Sequence, residues 1–353
     1  MTPERLRRIA PSWARKLADS PLVRRLRRQP DRVTRQHVIW AYRLLLGREP
    51  ENREVIAARL NGHYTVPALR SEILTSPEFR EREWNLGWLL VSLDNVGKGR
   101  RLLTEIEDGL RLWFDLSDHF IGVGIARGIF EPDERAFVRR VVQPGQTALD
   151  IGANIGLYTV LMAARVGPAG HVYAFEPLAR NADLLARSVA ENGFNERVTL
   201  ERVALGDREG TADLTIAQAT WNPGGAYLLQ PGAPRPPGHE LETAPLRMLD
   251  SYPLRRPVDF VKLDIEGAEP LALRGSRNLL TDDRPVIMSE LHPVQLGRVA
   301  GYSPDGWIAE MRAYGYGCYI LGEGWIAGQI DTYQKDDLAT VVFAPPGRLE
   351  RVR

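Results

Sequence analysis

Cysteine is almost absent: Cys318 stands alone in 353 residues. A lone cysteine excludes an intramolecular disulfide and a cysteine-rich zinc site, and it fits a reducing, cytoplasmic compartment. An excess of one charge is also lacking. Lys+Arg is 46 against Asp+Glu 45, a formal net charge of +1. That balance argues against nucleic acid as the partner, because nucleic-acid binders usually carry a basic excess. No apolar run approaches the roughly 20 residues needed to span a bilayer. What is present is a 44% hydrophobic chain, long enough for about two domains of roughly 150 residues.

Residues 1–30 depart from neutrality. They are Arg-rich and poor in acids, and they lack the continuous apolar core of a secretory signal. Leu6, Ile9, Trp13 and Leu17 recur at near-helical spacing, interrupted at Pro11. A basic amphipathic arm can lie on an anionic membrane surface, so peripheral membrane contact is one reading; a solvated tail is the other. Residues 31–87 read as a small helical module. Val38, Ala41, Tyr42 and Leu45 form a helical apolar stripe that ends near Gly47 and Pro50, and Leu69, Ile73 and Phe79 form another.

From residue 88 to 353 the pattern changes. "GLRLWFDLSDHFIGVGIARGIFEPDERAFVRRVV" reads as short strands and then a helix from about Pro132, with Asp133 and Glu134 in its first turn. After Thr147, strands alternate with helices. "TALDIGA", "HVYAFEP", "RVTLERVAL", "VDFVKLDIEG", "PVIMSEL", "YGCYIL" and "LATVVFAP" are the strand candidates. Alternation of this kind predicts an α/β fold, a mostly parallel doubly wound sheet. The Pro/Gly-rich stretch from Trp221 to Glu240 reads as a loop.

Two motifs carry chemistry. In "TALDIGANIGLYTV" a strand ends at Asp150, and Gly152 and Gly156 flank Ala153 and Asn154 before a helix. Ligands of doubly wound sheets sit at the carboxyl ends of the strands, and glycine there lets backbone come close. The next strand ends in Glu176-Pro177, and an acid at that point accepts hydrogen bonds from ribose hydroxyls. Asn154 replaces the glycine that meets a pyrophosphate in dinucleotide sites, which disfavours an NAD oxidoreductase. Asp150 suits a positively charged amino-acid tail. Together these favour S-adenosyl-L-methionine as cofactor.

The second motif is "DFVKLDIEGAEPLALRG", a buried strand that ends in acid. The fourth strand of such a sheet lies beside the first, so its end faces the same crevice. Lys262 and Asp264 are two apart and share a face. Glu266 and Gly267 make the turn, and "SELHP" adds Glu290 and His292 at the same rim. Three roles are open for this group. Asp264 or His292 could be a general base. Asp264, Glu266 and Glu290 could hold a Mg²⁺. Or they could hydrogen-bond a polyhydroxyl substrate. Glu269 reads as an ordinary acid at a helix N-terminus.

These residues together resemble the FkbM family of S-adenosylmethionine-dependent methyltransferases. The likeness runs from "LRLWFDLSD" to "TVVFAP" and is carried by "ALDIGANIGLYTVLMA", "VYAFEP", "FVKLDIEGAEPLALRG" and "PVIMSELHP". It implies a class I methyltransferase fold, with Asp150, Gly152, Asn154, Gly156 and Glu176 around the cofactor and Val203 to Asp207, including Ala204, near adenine. It also implies methylation of a hydroxyl on a natural product, sugar or lipid. "YRLLLGREP" and "LRSEILTSPEF" resemble a short helical domain of unknown function in bacterial surface-carbohydrate proteins, although the usual Asp-Pro-x-Gly is replaced by Glu51-Asn52-Arg53-Glu54. Its expected context is polysaccharide biosynthesis. The expectation is therefore an O-methyltransferase with a saccharide, glycolipid or natural-product acceptor. The competing reading is a carbohydrate-binding or assembly protein on the same scaffold.

Overall fold

The computed structural model describes residues 50–61, 101–115, 121–126, 130–217 and 225–349, with isolated positions between 33 and 73. The basic arm and Ala41, Leu45 and Phe79 of the helical stripes lie outside the described residues. Contacts divide the chain into two compact units, Met1–Leu89 and Leu90–Arg353. In the first, helix α1 (Arg53–Asn61) contributes Ile56 to a core with Val33, Val38, Tyr42, Leu69 and Ile73. Among the described residues, no helix is long and apolar enough to cross a membrane.

The second unit begins with an antiparallel pair, β1 (Arg101–Glu105) and β2 (Arg111–Asp115), followed by α2 (Ile121–Ala126) and α3 (Pro132–Val141). Then come β3 (Thr147–Ile151), α4 (Leu157–Val166), β4 (His171–Phe175), α5 (Ala179–Glu191), β5 (Val198–Glu201) and β6 (Ala204–Leu205). Next are β7 (Gly210–Ala217), β8 (Tyr227–Leu228), β9 (His239–Arg247), β10 (Phe260–Leu263) and α6 (Glu269–Arg274). The chain closes with β11 (Val286–Leu291), α7 (Pro304–Ala313), β12 (Gly317–Gly322), β13 (Trp325–Ile330) and β14 (Ala339–Ala344).

Eight strands form the central sheet in the order β13-β12-β14-β11-β10-β3-β4-β5. The run β11-β10-β3-β4-β5 is parallel, and β14 enters antiparallel between β11 and β12. This is the doubly wound α/β sheet expected from the alternation. The strands read as continuous apolar runs because both faces are covered. Period-two alternation divides them between two cores. Ala148, Phe260, Val342 and Ala344 face α3 and α4, whereas Leu149, Val261, Leu263, Val341 and Phe343 face α6 and α7. Trp307 of α7 is buried against Phe343, with ring centroids 5.0 Å apart.

The helix starts follow the sequence signals. Pro132 opens α3, with Asp133 and Glu134 in its first turn. Asn192 caps α5, and Gly193 follows it at φ 69°. Two expectations need correction. "RVTLERVAL" is not one strand: β5 belongs to the central sheet, and β6 belongs to a second sheet ordered β6-β9-β7-β8. The stretch Trp221–Glu240 is not wholly loop, since it holds β8 and the start of β9. Along β9, Ala244 and Leu246 are buried while Thr243 and Pro245 are exposed. That alternation marks a strand with one wet face.

The switch point of the sheet lies between β3 and β10, where strand order reverses. Phe137 of α3 is fully buried there, its ring 6.4 Å from Phe260 and 5.5 Å from Trp325. It ties α3, β10 and β13 together. Phe137→Ala is expected to cost about 3–5 kcal/mol of stability, read as a fall in the denaturant midpoint. A loss below about 1 kcal/mol would show that the site collapses without a cavity.

Candidate active site

At the carboxyl ends of β3, β4, β10 and β11 the chain encloses a cavity of about 420 Å³, the size of a small-molecule site. The loop after β3 forms its floor. A Cβ on Gly152 would stand 1.8 Å from the carbonyl oxygen of Asp264. The residue at 152 is therefore glycine because the β3 and β10 ends pass too closely for any side chain. A Cβ on Gly156, at φ 93°, would stand 2.8 Å from Leu185 Cγ, so this glycine serves helix packing at the start of α4.

Glu176 fastens this loop. Its Oε2 accepts the Asn154 N–H at 2.8 Å, and its Oε1 accepts the Leu178 N–H at 2.9 Å. The carboxylate is buried at the cavity wall and keeps lone pairs for further donors. The Asn154 Oδ1 is buried with no partner, as a cavity acceptor awaiting a donor would be. Pro177, Leu178, Val203, Ala204 and Leu205 line the same end. Leu178 also packs with Leu214 and Ala244 of the second sheet, so that sheet closes over this end.

At the other end stand the β10 and β11 termini. Lys262 Nζ donates to the Gly152 carbonyl at 3.0 Å and pairs with Asp264 Oδ2 at 3.2 Å. Lys262 is 6% exposed. Asp264, Glu266, Glu290 and His292 all line the cavity, as do Gly152, Ala153 and Asn154. His292 Nδ1 accepts from the Gln295 N–H at 3.5 Å, the outer limit of a hydrogen bond. Glu269 is buried and does not reach the cavity; its Oε1 accepts from the N–H groups of Ile265 and Gly267 and so fixes the turn.

Two of the expected cofactor residues fall elsewhere. Asp150 is 0% exposed and lies beneath the floor, its Oδ2 accepting from Thr159 Oγ1 at 2.5 Å. Lys262 is its register neighbour on β10. Burial, opposed by Lys262 and Thr159, raises its pKa. Asp150 thus does not line the cavity: one oxygen is held by Thr159, and the other, Oδ1, is buried without a partner. Gly156 also does not line the cavity, because its open side is filled by Leu185. Among the described residues, no group of three or more His, Cys, Asp or Glu side chains is arranged to hold a metal ion, so the carboxylates give Mg²⁺ no support.

Two cavity residues were not legible in the motifs. Glu131, just before α3, turns into the cavity and accepts from the Tyr158 hydroxyl at 2.5 Å. The Lys262 ammonium lies 5.3 Å from the Tyr158 ring centroid. Glu131 has φ 46°, Asn154 φ 50° and Glu266 φ 55°. Left-handed backbone at residues other than glycine costs roughly 1–3 kcal/mol each and gathers at functional sites. All three of these residues line one cavity.

The carboxyls lie close together and share little countercharge. Burial raises Glu131 to about 7, helped by Asp264 and opposed by Lys262 and the Tyr158 hydroxyl. Burial likewise raises Glu176 to about 7 against its two backbone bonds. Glu266 is pushed up to about 8 by burial, Asp264 and Glu269. Glu290 is raised by burial and then by Asp264, Glu266 and Glu269. For Lys262, burial pulls downward, but Asp264, Asp150 and Glu131 outweigh it and hold the ammonium protonated. The arrangement favours a cationic or hydroxyl-rich ligand.

Residues 150–318 match the family model described as Methyltransferase FkbM domain. That match and the strand order support S-adenosylmethionine-dependent methylation. The chain also resembles solved structures at a distance. Methyltransferase FkbM from Methylobacillus flagellatus KT is 15% identical, with 63% of this chain and 52% of that one covered and a TM-score of 0.33. A SAM-dependent O-methyltransferase from Thermotoga maritima is 13% identical, covering 70% and 78%, with a TM-score of 0.35. A SAM-dependent methyltransferase from Aquifex aeolicus is 13% identical, covering 60% and 88%, also at 0.35. No match to a curated protein was found.

The raised carboxyls have a measurable consequence. A glutamate whose pKa is higher folded than unfolded contributes stability below the unfolded value and loses it as pH rises through the folded value. For Glu131, Glu176 and Glu266 that window runs from 4.5 to about 7 or 8. The ligand-free protein should therefore melt at a lower temperature near about pH 8.5 than near about pH 5.5, with a shallower slope in Glu266→Gln. A melting temperature that climbs across this interval would contradict the assignment.

Proposed function

We propose that residues 88–353 form an S-adenosylmethionine-dependent O-methyltransferase acting on a hydroxyl of a saccharide, glycolipid or natural product. One observation carries the reading. The cavity at the β3–β10 switch point joins a close-approach glycine loop and the Glu176 carboxylate at one end to a strained, acid-lined rim at the other. The match of residues 150–318 to the FkbM methyltransferase domain supports it.

The residues present fit the cofactor. The unpartnered Asn154 Oδ1, the lone pairs left on Glu176 and the apolar Val203, Ala204 and Leu205 suit a ribose and an adenine. When bound, S-adenosylmethionine supplies a methyl group activated on a positively charged sulfonium. Displacement at that methyl is in line, so the chain contributes mainly by aligning the acceptor oxygen. Glu266, Glu290 and His292 are placed to hydrogen-bond hydroxyls at the rim. Because His292 Nδ1 accepts the Gln295 N–H, a neutral imidazole carries its proton on Nε2 and is a donor there. Asp264 is then the better placed proton acceptor, with Lys262 fixing its Oδ2.

The test uses methyl-labelled S-adenosylmethionine with a panel of saccharide and glycolipid acceptors. Label should pass to a hydroxyl. Asp264→Asn should lower turnover about a hundredfold or more, while affinity for S-adenosylhomocysteine changes little. Glu176→Ala should weaken that affinity and release the Asn154 loop. Normal turnover by Asp264→Asn would remove Asp264 from its role. Tight cofactor binding without transfer to any hydroxyl would favour a binding protein.

A further inference from the structure

We propose that Glu131 holds the α-ammonium of the cofactor's amino-acid tail, the role that the sequence motif alone assigns to Asp150. The inference rests on the cofactor reading above and assigns a residue outside the glycine motif. The cavity runs along the strand order from β4 and β5 to β10. Its β4 end offers Glu176, Val203 and Ala204 for an adenosine, so a tail must extend toward Lys262 and Tyr158.

A methionine-type tail is a zwitterion. Its ammonium needs an anionic acceptor and its carboxylate needs donors. Asp150 is sealed beneath the floor and bonded to Thr159. Asp264 is paired with Lys262. Glu266, Glu290 and His292 reach the cavity from the ends of β10 and β11, and Glu131 is not among the charges that act on Glu266 or Glu290. Glu131 approaches from the start of α3, beside Tyr158 in the first turn of α4. It sits where a helix cap would, yet its side chain caps nothing and its backbone is held left-handed at φ 46°, ψ 56°. The carboxylate is instead turned to the cavity, with Tyr158 steadying one oxygen. The Glu131 carbonyl accepts the Arg135 N–H and serves the helix, whereas its carboxylate makes no cap bond and is left for an ammonium.

The experiment compares two ligands on the full chain by titration calorimetry: S-adenosylhomocysteine, which has the tail, and 5′-methylthioadenosine, which lacks it. Glu131→Gln should weaken the first about tenfold to hundredfold, the range of a lost charge-assisted hydrogen bond, and leave the second within about threefold. Its melting temperature should stay near that of the parent. Glu131→Asp, which keeps the charge but shortens the reach, should give an intermediate loss for the first ligand alone. Equal weakening of both ligands, or of neither, overturns the assignment while leaving the cofactor reading intact. A parent protein that binds neither ligand overturns both.

Discussion

The buried Lys262 ammonium is the contact on which the site depends. It reaches from β10 to the Gly152 carbonyl and so fixes the loop after β3 to the neighbouring strand. It also pairs with Asp264 and lies within the field of Asp150 and Glu131. Removing one partner from a buried ionic group leaves charge without compensation and usually costs several kcal/mol. The charge of Lys262 is thus what allows acids to gather at the end of a core strand.

The same contact sets the shape of the cavity. With β3 and β10 held together, no side chain fits at position 152. The loop must then turn through the left-handed Asn154, whose N–H is taken by Glu176. Glu131 is bonded to Tyr158, whereas Asp264 and Glu269 act on both Glu266 and Glu290, with His292 lining the same cavity. Such an arrangement suits a site that must hold a charged cofactor tail and a hydroxyl-bearing acceptor at once. Burial first, and the neighbouring acids after it, raise these carboxyls and favour their neutral forms in the ligand-free cavity.

Much of this was legible in the residues. The alternation of strands and helices gave the doubly wound sheet, and the ends of "TALDIGA", "HVYAFEP" and "FVKLDIEG" marked the rim where Gly152, Glu176 and Asp264 now stand. The burial of Asp150 was not legible, because its bond to Thr159, nine residues on, depends on how α4 packs over the strand end. Glu131 was missed for another reason. Its sequence context, an acid before Pro132, is that of an ordinary helix start, and only its left-handed backbone distinguishes it. The second sheet was hidden by composition: the Pro/Gly-rich stretch beside β8 drew attention away from the alternation in β9.

On the proposed reading, this cavity holds an adenosyl cofactor along the line from β4 to β10. A crystal structure of the protein with S-adenosylhomocysteine tests it most directly. The expected ligand has its ribose hydroxyls on Glu176, its adenine between Val203, Ala204 and Leu205, and its sulfur beside Asp264. A ligand bound elsewhere, or an unchanged cavity at saturating ligand, would contradict it.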